Sequence, residues 1–123
     1  MVELLTCVFF GFLWYQFIAI FGVSIGLHSC LSHKQVEVSK LYEGFALFLV
    51  TLAGARSPLG WIGAHKLHHA TADTADDPHS PDIKGFWKVL FNRWNCESIP
   101  RKYVKDELKT PRVMFFHKYW KHI

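Results

Sequence analysis

Residues 4–27 read LLTCVFFGFLWYQFIAIFGVSIGL, 24 consecutive positions without an Asp, Glu, Lys or Arg. Wound as an α-helix rising about 1.5 Å per residue, the run reaches roughly 36 Å, more than the ~30 Å hydrocarbon core of a bilayer. A secretory signal peptide fits badly: the start carries Glu3 in place of basic residues, the run is too long, and no A-x-A-like site follows. The other alternative is the buried helix of a soluble protein, and the length favours a transmembrane helix over it. Flanking charge orients the span. Only the amino terminus and Glu3 precede it, whereas Lys34, Lys40, Arg56 and Lys66 follow. The positive-inside rule then places everything after Leu27 on the cytoplasmic side.

Composition agrees. Half of the 123 residues are hydrophobic, 20% are charged and 16% are aromatic, which excludes a disordered chain. A net charge of +4 suits nucleic acid or an anionic membrane surface equally well. Lys, Arg and Trp beside a span belong at the lipid interface, so membrane lipid is the expected partner and nucleic acid is not. The three cysteines, Cys7, Cys30 and Cys96, show no C-x-x-C spacing, which argues against a disulfide framework and a thiolate zinc site.

Beyond the span, a second apolar run from Gly44 to Ala55 is too short to cross a bilayer and reads as an interfacial or re-entrant helix. Ser57-Pro58-Leu59-Gly60 breaks it. A helix is expected from Trp61 to about Ala70, then an acidic, Pro-containing loop over Ala72 to Lys84. Phe86, Trp87, Val89, Leu90, Phe91 and Trp94 fall largely on one helical face, interleaved with Lys88 and Arg93, as in a helix resting on headgroups. The expected fold is an all-α integral membrane protein: one transmembrane helix (4–27), a histidine-box region (28–79) and an interfacial aromatic and basic segment (80–123).

The unusual residue is histidine, eight in all, five of them in two tight groups. The first is His28-Ser-Cys-Leu-Ser-His33, the second His65-Lys-Leu-His68-His69. At about 100° per residue, His65, His68 and His69 project on one side of a helix, where three imidazoles can converge on a metal. His28 and His33, five apart, would diverge by about 140° on an ideal helix, so they need a local distortion or serve different parts of a larger site. Neutral imidazole suits Fe, Zn, Cu and Ni. His79, His117 and His122, taken singly, read as interfacial polar tips, and Cys30 as a small buried residue.

The strings Gly26-Leu-His28-x4-His33, Gly63-Ala-His65-Lys-Leu-His68-His69 and Asp77-Pro78-His79-Ser80 closely resemble the membrane fatty acid desaturases of the Δ9 type. The stretch from Trp61 to Trp87 is most similar to bacterial acyl-lipid and acyl-CoA desaturases. The resemblance implies an oxidoreductase holding two non-haem irons in a helical membrane fold. His28, His33, His65, His68 and His69 would be iron ligands, and Asp73 and Asp77 partners that orient imidazole N–H groups. It also implies O2 as co-substrate, a fatty acyl substrate (acyl-CoA or acyl-lipid), and an electron donor such as cytochrome b5 or ferredoxin. Where family members commonly carry Arg after each leading histidine, this chain has Ser29 and Lys66. The third box of the family, also of the H-x2-H-H kind, does not occur within these 123 residues, so the chain looks like the middle of a desaturase and is expected to be inactive alone.

The implied chemistry is consistent with these residues. Removing two hydrogens from neighbouring unactivated methylenes is beyond any side-chain base and calls for an oxygen-activating metal. Two rivals remain: a related histidine-box lipid or alkane hydroxylase, against which the Asp77-Pro78-His79 loop speaks, and a non-catalytic metal-binding fragment.

Overall fold

The computed structural model describes residues 1–91 and 98–123, and among these the chain is all helical, with no strand. Helix α1 (Val2–Phe17) continues without a break into a π-helix (Ile18–Ser32). Together they form the one helix among the described residues long and apolar enough to cross a membrane by length and composition. Its 31 residues, with the shorter rise of the π winding, reach about 40 Å. The sequence reading ended the span at Leu27, with the first histidine box outside it. The structure carries the helix on to Ser32, so His28 lies on its last turn and His33 caps it.

The winding explains the extension. The His33 N–H donates to the His28 carbonyl at 3.0 Å, a bond to the residue five back. Ser29 Oγ donates to the Ser24 carbonyl at 2.9 Å and Ser32 Oγ to the Leu27 carbonyl at 2.8 Å, at the same separation. These hydroxyls support the wider turn that distinguishes a π-helix from an α-helix. Such widened turns are uncommon and concentrate at functional sites.

Helix α2 (Lys40–Leu52) begins at Ser39, whose side chain accepts the Tyr42 N–H at 3.2 Å. Its buried face, Ala46, Leu47, Leu49 and Val50, packs on the π-helix. Contact is close because two π-helix positions lack a Cβ. Gly26 faces Ala46, and a Cβ added at Gly22 would stand 2.8 Å from Leu49 Cβ.

Helix α3 (Pro58–Thr71) carries the second box. The Ser57–Gly60 segment, read from sequence as a break, is the start of this helix: Ser57 Oγ accepts the Gly60 N–H at 3.1 Å and Pro58 occupies the first turn. Pro is at home there because its missing N–H would have had no helical partner. Ser57 Oγ also lies 2.6 Å from Nδ1 of His117, so that histidine braces the cap instead of standing as an isolated polar tip.

Two short helices follow, α4 (Pro81–Lys84) and α5 (Phe86–Leu90). Phe86, Trp87, Leu90 and Phe91 are exposed, whereas Arg93 and Trp94 of the expected aromatic face lie outside the described residues. The C-terminal stretch holds two 3-10 turns (Arg101–Tyr103 and Glu107–Lys109) and α6 (Pro111–Tyr119). From sequence this stretch belongs to the interfacial aromatic and basic segment, and in the structure it folds back onto the helices. Val104 and Val113 enter a core with Leu47 and Leu59, beside a second core of Leu27, Val50 and Ile62. Gly63 leaves the room for this, since a Cβ there would meet Ile99 Cγ2 and Val104 Cγ1 at 2.8 Å.

Candidate metal centre

The end of the π-helix and the middle of α3 present their histidines to one another. The rings of His28 and His33 are 4.6 Å apart, because a fifth residue in π winding comes back over the first. The His65 ring lies 4.7 Å from His28, 5.1 Å from His33 and 4.5 Å from His69. His65 Nε2 stands 3.0 Å from His33 Nε2 and 3.1 Å from His69 Nε2. One ring proton serves only one of these two contacts, whereas a cation between the nitrogens would serve all of them.

The donor set fits a transition metal. His28, His33, His65 and His69 each offer a nitrogen, all within 4.8 Å of one another. Two imidazoles bound to one metal at about 2.1 Å can be at most about 4.2 Å apart, so a contraction of about half an ångström closes the site. Ligation needs neutral rings. Burial first, then the neighbouring His69, His28, His33 and His68, push His65 from 6.5 down to about 3. Burial, then His28, His69 and the Lys66 ammonium, also lower His33. These lone pairs therefore stay available at neutral pH.

His68 stands outside this group of four. Its Nδ1–H donates to Asp77 Oδ1 at 2.8 Å, which turns Nε2 to the other edge of the ring. Asp77 is fully buried and also accepts the Asp73 N–H at 2.9 Å and the His79 N–H at 2.7 Å. Burial alone would raise the Asp77 carboxyl, but the His79 N–H, His68 and the Asp73 N–H outweigh it and hold it below the usual range. Asp77 thus touches a box histidine. Asp73 contributes through its backbone at a positive φ of 59°, and its exposed residue shows no carboxylate contact with a box histidine in the described bonds.

Trp61 escaped the sequence reading as a site residue. Its ring stacks on His65 with centroids 4.8 Å apart and planes 19° apart. One turn before a histidine on the same helix is the signal that places it there. Together with Val23, Ser24, His28, Ser29 and His65, it lines a cleft of about 380 Å³ that opens against the histidines.

No family model and no solved structure matches the chain. Several curated proteins do. The sn-1 stearoyl-lipid 9-desaturase of Anabaena variabilis is 32% identical over 104 residues, covering 80% of this chain and 38% of its own length. The enzyme of the same name from Synechocystis is 36% identical over 101 residues, 78% of this chain and 31% of its own. Delta-9 acyl-lipid desaturase 1 of Arabidopsis thaliana is 36% identical over 66 residues, 54% of this chain and 21% of its own. The chain thus spans less than two fifths of the length of these relatives. With similarity at this level across most of its residues, and two histidine boxes meeting in space, the chain belongs to the fatty acid desaturase family.

Proposed function

We propose that the chain supplies one wall of a di-iron centre that introduces a cis double bond, Δ9 in the first instance, into a fatty acyl chain during unsaturated fatty acid biosynthesis. The observation that carries this is the convergence of His28, His33, His65 and His69 from two separate helices. Iron bound there would supply the activation of O2 that hydrogen removal from unactivated methylenes demands. His28, His33, His65 and His69 would hold one iron, and His68, turned away by Asp77, would offer Nε2 to the second. Asp77 fixes the His68 tautomer by accepting the Nδ1 proton. Trp61 fixes the plane of His65 and forms an apolar wall of the cleft, where an acyl chain would lie against the histidines. The long apolar helix would anchor the site in the phase that dissolves the substrate, with the boxes on the cytoplasmic side within reach of an electron donor such as cytochrome b5 or ferredoxin. The acyl carrier would be CoA or a lipid.

The second reading is a metal-binding chain without activity of its own. It is favoured by the donor count, since five box histidines are about half of what two all-imidazole irons need. A chimaera tests the first reading, and the same assay on the chain alone tests the second. The matching segment of the Synechocystis relative is replaced by this chain's residues and expressed in a host lacking Δ9 unsaturation, and fatty acids are resolved by chromatography. A monounsaturated product that His68→Ala abolishes is expected. A parent that is active beside an inert chimaera would contradict catalytic competence of these residues.

A further inference from the structure

The two walls of the metal centre are tied to one point by residues that neither box contains. Lys34, which follows His33, donates to Asp106 Oδ2 at 2.6 Å, and Lys66, which follows His65, donates to Glu107 Oε1 at 2.8 Å. Adjacent carboxylates from the C-terminal stretch therefore each grip the residue directly after a box histidine. The two grips are unequal. The Lys34 and Asp106 side chains are 56% and 63% exposed, so water screens that pair, whereas those of Lys66 and Glu107 are 23% and 4% exposed.

Lys66 also places a positive charge beside the histidines, close enough to be felt at His33. A metal cation would be repelled by that charge unless it is compensated. Val104, buried against the core, and the 3-10 turn Glu107–Lys109 set the Glu107 carboxylate in place. Resting on the metal-centre reading above, we propose that Glu107 is a positioning residue of that centre. Its carboxylate neutralises Lys66, whose charge would otherwise stand uncompensated beside the histidines. Asp106 contributes little.

The test uses the full chain in detergent, titrated with Co2+ alone and followed by its visible ligand-field absorption. Glu107→Gln is expected to weaken Co2+ binding about tenfold or more and to shift the absorption band, on the scale of changes around metal-ligating histidines. Asp106→Asn should stay within about twofold of the wild type, as an exposed pair predicts. Lys66→Gln combined with Glu107→Gln should regain most of the lost affinity, because no unpaired buried charge remains. Glu107→Asp keeps the charge with a shorter reach and should be intermediate; it decides the matter should Glu107→Gln fail to fold. Wild-type affinity and spectrum in Glu107→Gln, or in Glu107→Asp in that event, would overturn the proposal, as would a double variant no better than Glu107→Gln. A wild-type chain with no band that His65→Ala removes would instead bring down the metal-centre reading itself.

Discussion

His65 is the residue at which the two boxes meet, and its environment sets a pH dependence that can be measured. The folded chain keeps this ring neutral down to about 3, while an unfolded chain protonates it near 6.5. Between those values the unfolded state binds more protons, so stability falls as pH falls, by up to about 1.4 kcal/mol per pH unit for this group. Asp77 acts in the same direction at lower pH. Its depressed carboxyl contributes stability above the ordinary carboxylate range, and that contribution is lost as pH drops through the folded value. The metal-free chain should therefore show a thermal midpoint that falls on acidification below 6.5, with a shallower fall in His65→Gln. A midpoint indifferent to pH over that range would contradict the burial assigned to His65. At this scale spacing displayed His65, His68 and His69 as ligand candidates, and the resemblance added His28 and His33. Trp61 on His65 was legible in the one-turn spacing and was passed over, whereas Glu107 on Lys66, 41 positions apart, was not legible, because that contact depends on how the chain returns on itself.

At the scale of elements, spacing carried a specific demand. Two histidines five apart needed a distorted helix to meet, and the π winding from Ile18 to Ser32 is that distortion. The serines that support it, Ser29 and Ser32, were visible in the sequence, but their bonding partners five back were not. Helix starts were misread for a related reason. Ser57-Pro58-Leu59-Gly60 reads as a break, yet α2 has already ended at Leu52 and these residues open α3, as the Ser57 bond to the Gly60 N–H shows. The close crossing of α2 over the π-helix gives a stability test. Gly22→Leu would drive its side chain into Leu49 and the Val50 backbone, whereas at Gly11 no atom lies within 4 Å of an added Cβ. We expect Gly22→Leu to cost about 1–3 kcal/mol or more, as overpacking does, and Gly11→Leu to be nearly neutral. Thermal unfolding of both in the same detergent measures the difference. Equal midpoints would mean that the two helices do not pack at these glycines.

Across the whole molecule, the apolar helix, the exposed aromatics of α5 and the basic C-terminal residues suit a chain held in and against a bilayer. Such a chain should remain with membranes through a high-salt wash, since salt screens charge but leaves apolar burial intact. Release by salt alone would point to peripheral attachment. The all-α class followed from the unbroken apolar run and from helical spacing elsewhere. The folding-back of residues 101–119 did not, because Val104 stands alone between Tyr103 and Lys105, and Val113-Met114-Phe115-Phe116 is a consecutive apolar run with no periodicity to show which of its members is buried. That return places Glu107 and His117 against the helix that carries the second box. The central claim is that histidines from both boxes bind one metal, and X-ray absorption at the iron edge of the Fe2+-loaded chain tests it most directly. The expected spectrum has nitrogen neighbours near about 2.1 Å with the outer scattering of several imidazole rings, and His65→Ala and His33→Ala each reduce the iron retained. Iron held only by oxygen, or retained undiminished after either substitution, would contradict it.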